Sequence, residues 1–360
     1  MSHRTRYFLI GSTLILTIGL GTGLVAYYGS GLTLARSSAG PAELIYVSPE
    51  AAAVAYADVH TIMNSEFRQK LRQMVPATGE GKDELLAETG IDIERDVDTV
   101  VAGFIPSADG THPETASIVL VRGRFNTPNI ETLAVNHGAV VENYRTVRLI
   151  TFAHPPSAEA GQPTTGEVAP VTTQAGVAFL EPDLVGLGTV AALKHAIDAK
   201  TDKQDVSKNV EMMKLVNENF GLSHAWVVGQ FDAISKSAQL PDQVRDRLPA
   251  IQWFAASVNV NGGVNGVLRA DARDDQAAEQ LRDAVRGGLA MVRLVSGNDP
   301  KLEKVLSGVQ LSGSGKTVAV GFTVSSDVLD LIGGVISEHS GGHAPSQPDR
   351  LEKQLKSYQK

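Results

Sequence analysis

The sequence predicts an α+β protein in which an N-terminal transmembrane helix is followed by two copies of a mostly antiparallel sheet covered by helices. Three observations carry that expectation. The segment from Tyr7 to Tyr28 is apolar and holds no charged residue. Downstream, β-branched runs come in consecutive pairs joined by short polar turns, which implies antiparallel pairing, and amphipathic segments after the pairs imply helical cover on a sheet face. The order strand, helix, strand, strand, helix, strand, strand, helix then occurs twice, which makes the architecture a duplication.

As a helix, the segment 7–28 spans about 33 Å at the usual rise per residue, enough for a hydrocarbon core of about 30 Å. Arg4 and Arg6 precede it, so the positive-inside rule leaves residues 1–6 in the cytoplasm and exports everything after Tyr28. That places the protein in the inner membrane with its C-terminal domain in the periplasm or its equivalent. A cleaved signal peptide is the alternative, with Thr33-Leu34-Ala35 as the cleavage site, although the run exceeds the roughly 7–15 residues usual for that purpose. Residues 29–41 form a small-residue tether, and residues 340–360 a mobile tail rich in Gly, Pro and Ser.

The first copy, residues 42–200, opens with an apolar strand over 52–58. A helix over 64–74 places Phe67, Leu71 and Met74 on one face, and a shorter helix over 83–89 stops at Gly90. Strands over 97–105 and 116–123, a helix over 128–136, strands over 146–152, 176–180 and 184–187, and a helix over 190–199 complete it. The proline-rich stretch 154–173 has no periodicity and is a long surface loop. A helix over 206–220 bridges into the second copy, residues 201–339. There the order is a strand over 225–231, a helical stretch over 243–248, strands over 251–260 and 264–272, and a long helix over 275–295. Strands over 309–312 and 317–324 and a helix over 327–337 close it. VRGRFNT, from Val121, and LRADARD, from Leu268, end the third element of each copy and align the two.

Hydrophobic residues make up 42% of the 360-residue chain, enough for a packed core. A net charge of −8 and the lack of a dense Lys/Arg stripe exclude a nucleic-acid binder. With no cysteine, disulfides, thiolate metal sites and cysteine nucleophiles are excluded together.

The stretch LSGSGKT, Leu311 to Thr317, ends like a phosphate-binding loop. Its required first glycine falls at Gln310, and VAVGFTV after Thr317 alternates like a strand where the motif needs a helix N-terminus. Gly313 to Lys316 therefore reads as a hairpin turn, and no nucleotide or other cofactor is expected. Asp92, Glu94, Asp96 and Asp98 alternate, but Val97 and Gly103 stand where a calcium loop needs glycine and glutamate. That segment reads as a solvated turn with Arg95 as partner. His339 and His343 flank two glycines, with no rigid helix to hold a metal. No G-x-S-x-G elbow is present and no S-x-x-K signature stands out at a helix start, so catalysis is not expected.

Two features point to contacts. Gly19 and Gly23 form a GxxxG step in the anchor that favours helix dimerisation in lipid; the alternative is the general abundance of glycine in membrane helices. Trp226 and Trp253 lie on strands, each on the more polar face, Trp226 with His224 and Gln230 and Trp253 with Ser257 and Asn259. A tryptophan so placed offers a partner large area at small entropy cost. The alternative is burial under a loop such as 154–173.

The segments ELIYVSPEAAAVAYADVHTIMNSEFRQKL, TGIDIERDVDTVVAGF and IVLVRGRFN, all within residues 43–126, resemble a family of membrane-anchored bacterial envelope proteins of unknown function with duplicated α+β repeats. The resemblance implies location and fold and transfers no site residue. The function expected is non-catalytic: protein interaction or scaffolding at the envelope with an envelope protein as partner. The alternatives are a carrier or sensor holding an apolar ligand or lipid within one repeat, and an unrecognised hydrolase.

Overall fold

The computed structural model describes residues 40–74, 86–106, 117–152, 174–237, 250–296, 303 and 306–325. A 3-10 turn over Ala42–Tyr46 leads to β1 (Ala53–Asp58), α1 (Val59–Met63), α2 (Glu66–Met74), α3 (Ile93–Asp96), β2 (Val97–Phe104) and β3 (Ile118–Gly123). Then come α4 (Thr127–Asn136), β4 (Ala139–Tyr144), β5 (Val147–Phe152), β6 (Ala175–Glu181), β7 (Leu184–Thr189) and α5 (Val190–Asp202). A 3-10 turn over Val206–Lys208 and α6 (Val210–Asn219) cross to β8 (Ala225–Gln230), α7 (Phe231–Ser237), β9 (Ile251–Asn259) and β10 (Gly263–Ala272). The chain continues through α8 (Asp275–Ser296), β11 (Val309–Ser312) and β12 (Thr317–Ser325).

All 12 strands among the described residues belong to one sheet, ordered β11-β12-β10-β9-β8-β1-β2-β3-β7-β6-β5-β4, and every pairing among them is antiparallel. This corrects the expectation of two separate sheets. The two opening strands, β1 and β8, pair with each other from Ala53↔Gly229 to Ala57↔Ala225. Both read as apolar on both faces, AVAYA and AWVVG, and neither has the lysine or proline that protects an edge. Strands of that kind belong in the middle of a sheet. The transmembrane helix expected over 7–28, with Gly19 and Gly23, lies outside the described residues, as do the helices expected over 243–248 and 327–337 and the histidines 339 and 343. No helix among the described residues is long and apolar enough to cross a membrane.

The strand order repeats on either side of the β1–β8 seam. Outward from it, β1-β2-β3-β7-β6 matches β8-β9-β10-β12-β11, and the β4–β5 hairpin is an addition to the first half. The ladders keep step. β2 slips register between Val97 and Thr99 against the end of β3, and β9 slips at the same place against Asp271 and Ala272 at the end of β10. Centred on the Ala55↔Val227 pair, the ladders set Val121 level with Ala270, so the letter match of VRGRFNT to LRADARD is displaced along the strand.

One sheet face carries the first 3-10 turn, α5 and α6, and holds the main core: Tyr46, Val54, Val101, Leu120, Leu149, Leu184, Leu193, Met212 and Val228. The opposite face is closed in patches. Ala57, Val97 and Val258 lie under Val59 of α1 and Phe67 of α2, Ala139 and Ile150 lie under Ala134 of α4, and Ala272 and Val318 lie under the start of α8.

Candidate functional site

Trp226 and Trp253 do share a sheet face, since Trp226 sits opposite Ser257 and Trp253 opposite Gln230. Trp226 is not an exposed contact residue, however; it is 3% exposed. Its indole stacks on Tyr56 across the seam at 5.7 Å, and Phe220, where α6 ends, stands edge-on to Tyr56 at 5.7 Å. The polar neighbours that suggested exposure serve the backbone instead: His224 Nδ1 accepts from the Val260 amide at 3.1 Å. Trp253 is half-buried at the margin of the same core.

Two polar features stand out around this cluster. The Trp226 Nε1–H is buried without a hydrogen-bond acceptor, an arrangement that costs about 1–3 kcal/mol. Burial, with the carboxylates of Asp58 and Glu43 behind it, pushes the Tyr56 hydroxyl up to about 12, so it stays protonated as a second donor.

Beyond the aromatic cluster, the same face differs between the halves. Where the first half has Leu120 and Leu184, the second has Arg269 and Thr317 at the matching ladder positions. Arg269 grips Asp271 with two bonds of 3.1 and 3.0 Å and also bonds Glu218 of α6, while Thr317 donates to Asp271 at 2.6 Å. In the first half Arg122 gathers Glu43 at 2.5 Å, Asp183 at 2.6 Å and Glu181 at 3.2 Å. Glu181 also takes bonds from Lys200 and Tyr46. Burial pushes the Glu181 carboxyl up, but the hydrogen bonds from Lys200, Arg122 and Tyr46 together hold it below its ordinary value. Both networks are closed: each carboxylate in them already faces a cation.

The acidic run is likewise tied into the fold. Asp92 caps α3 through the Glu94 amide, Asp96 accepts from Arg95 and from the Asp92 amide, and Glu94 bonds Arg68 and Arg72 of α2. Asp96 is buried, so the expected solvated turn is instead a packed one. Among the described residues no group of three His, Cys, Asp or Glu is placed to hold a metal ion. Gly313 and Gly315 adopt φ of 98° and 55° in a turn from β11 to β12, so a strand follows Thr317 and Lys316 bonds the Arg273 carbonyl at 3.0 Å.

What the sequence reading passed over is exposed apolar surface. Leu187 of β7 and Leu268 of β10 are exposed on the sheet face opposite Trp226, and Met291, Val292 and Leu294 are exposed near the end of α8. The signal was present in α8, whose apolar residues Leu281, Val285, Leu289 and Val292 recur at helical spacing past the point where a sheet face could use them.

No family model matches the chain, and no curated protein matches it. Among solved structures, crystal form I of TP0453 is similar over 81% of this chain and 96% of that chain, with a TM-score of 0.39 and 10% identity.

Proposed function

We propose that the chain is a membrane-anchored, extracytoplasmic and non-catalytic protein that binds a protein partner at the cell envelope. One contrast carries this reading. The carboxylates gathered around Arg122 and Arg269 already bond cations within the fold, whereas Met291, Val292 and Leu294 stay exposed on one helix. A paired acid is a poor proton donor or acceptor for a substrate, and a cluster of exposed apolar side chains is what a partner covers. The anchor rests on the uncharged run 7–28 behind Arg4 and Arg6.

Native mass spectrometry of the full chain, extracted from its own membrane, tests the reading. A stoichiometric polypeptide partner supports it, and a chain that travels alone or with lipid overturns it. Protease access in spheroplasts tests the topology: a protected domain, or a mature chain beginning near Arg36, refutes the anchored, exported form.

A second reading, a carrier of an apolar ligand, draws on Trp226. An indole N–H without an acceptor, on a ring stacked on Tyr56 in the aromatic cluster that Phe220 joins, suits an apolar molecule bearing one acceptor atom. A retained lipid mass in the same spectrum would favour it.

A further inference from the structure

The dipeptide Asn-Gly occurs twice, four residues apart, at Asn261-Gly262 and Asn265-Gly266. The two copies share their chemistry and differ in what the fold does to them. Asn265 and Gly266 lie inside β10, paired with Asn259 and Val258 of β9 on one side and with Thr323 and Phe322 of β12 on the other. Asn261 and Gly262 lie in the turn between β9 and β10, and both are exposed. Neither makes a hydrogen bond among the described residues. Gly262 adopts φ of 65°, and a Cβ built on it would meet nothing within 4 Å, so the space around it is open.

That difference decides whether an asparagine side chain can react with its own backbone. Ring closure needs the peptide nitrogen after the asparagine to swing toward Cγ, which takes ψ out of the extended range. Within β10 the swing breaks ladder hydrogen bonds on two sides. In the turn it breaks none, and glycine has no side chain to obstruct its nitrogen. Asn259, in the same stretch, is held by its side chain as well. It accepts from the His224 amide at 3.2 Å and donates to the Leu222 carbonyl at 3.1 Å, and the β-branched Val260 follows it.

We propose that Asn261 is a site of spontaneous deamidation, a modification that needs water and no enzyme. The Gly262 nitrogen, its proton lost to base, attacks Asn261 Cγ. A C–N bond forms and the Cγ–Nδ2 bond breaks, releasing the side-chain nitrogen as ammonia. Water then opens the succinimide at either ring carbonyl, with no change in oxidation state. Opening at Cγ leaves aspartate. Opening at the backbone carbonyl leaves isoaspartate, in which the main chain runs through Cβ and Cγ and gains a methylene.

The longer backbone falls where the fold has little slack. Val260 and Val264 flank the turn, are 6% and 8% exposed, and belong to the cluster that contains Val59 of α1 and packs against Phe67 of α2. The Val260 amide also donates to His224 Nδ1 at 3.1 Å. Isoaspartate between the two valines shifts one against the other, so the aged chain is less stable than the fresh one.

The test ages the full chain in detergent at mildly alkaline pH, both folded and in guanidinium chloride. It follows the tryptic peptide from Leu248 to Arg269, which holds Asn259, Asn261 and Asn265 together. Fragment-ion spectra place each amide-to-acid conversion, and electron-transfer fragmentation separates isoaspartate from aspartate. In the folded chain Asn261 should convert at least about tenfold faster than Asn265. In guanidinium chloride the two should convert at similar rates, because both then precede glycine in an unfolded chain. Asn261→Gln, which would have to close a larger ring, should stay intact and keep its thermal midpoint on ageing, while the wild-type midpoint falls. Equal rates at Asn261 and Asn265 in the folded chain overturn the proposal, as does a folded chain that stays unmodified at Asn261 while the denatured one converts. An aged wild-type chain that carries isoaspartate in the turn yet melts with the fresh one refutes the link to packing under α1 and α2.

Discussion

Arg122 of β3 ties two other segments to its strand: the first 3-10 turn through Glu43, and the β6–β7 hairpin through Glu181 and Asp183. Glu43 is buried, so Arg122→Met strands a carboxylate without its cation, a loss of about 3–5 kcal/mol at neutral pH, toward the lower end because the guanidinium is partly solvated. The sign of the pH dependence follows from the carboxyls. The Arg122 hydrogen bond holds Asp183 below its ordinary value, and Glu181 is also held down, so both contribute stability that is present above their unfolded values near 4 and lost as pH falls through the folded ones. Urea denaturation should therefore show a large gap between wild type and Arg122→Met at pH 7 that narrows once the pH drops below about 4. A gap independent of pH would mean that the network contributes packing alone. Trp226 makes the second case at this scale. Trp226→Ala should cost about 3–5 kcal/mol, while Trp226→Phe, which also removes the unsatisfied donor, should cost clearly less; iodide should quench Trp253 and spare Trp226. Sequence alternation grouped each tryptophan with its polar strand neighbours and read that face as the exposed one, whereas it holds the main core, because its cover by α6 and Phe220 arrives from outside the strand.

Elements were legible where period and punctuation agree. The strands over 97–104, 251–259 and 317–325 and helix α8 follow their alternation or apolar stripe, and Gly90 ends its helix with φ of 73°. Strand β4 was missed. Its turn into β5 is Arg145-Thr146, with no glycine, and Arg145 still adopts φ of 52°. Tertiary contacts hold it there, since the guanidinium bonds Asp198 at 2.7 Å and Asp202 at 3.4 Å on α5. No local signal marks such a turn. Helix α8 yields the prediction for this scale. Its projecting turns have no core to lean on, so its N-terminus matters more than in a packed helix. Asp274→Ala should remove about 1 kcal/mol and speed amide exchange throughout 283–296. Asn126→Ala, capping the shorter α4, should cost a similar amount with exchange rising only locally. Equal local effects in both would show that α8 is held by contacts beyond its cap.

At the scale of the whole molecule, the seam decides how the halves behave. Two sheets of the expected kind would each keep their own core and melt separately. In the single sheet, Val54 and Tyr56 of the first half share a face and a core with Trp226 and Val228 of the second, and Gly229 lies so close to β1 that a Cβ there would stand 2.8 Å from both the Ala52 oxygen and the Ala53 Cβ. Contacts that tight couple the unfolding of one half to the other. The sequence supplies a convenient probe, because both tryptophans lie in the second half. Tryptophan fluorescence reports the second half and its seam with the first, and far-ultraviolet circular dichroism reports both halves. The two melting curves should coincide in the wild type. Gly229→Val should lower the shared midpoint sharply, because the neighbour it meets is backbone and cannot rotate away. If fluorescence and dichroism instead separate in the wild type, or if Gly229→Val shifts the fluorescence curve and leaves the rest of the dichroism transition in place, then the β1–β8 ladder does not bind the halves into one cooperative unit.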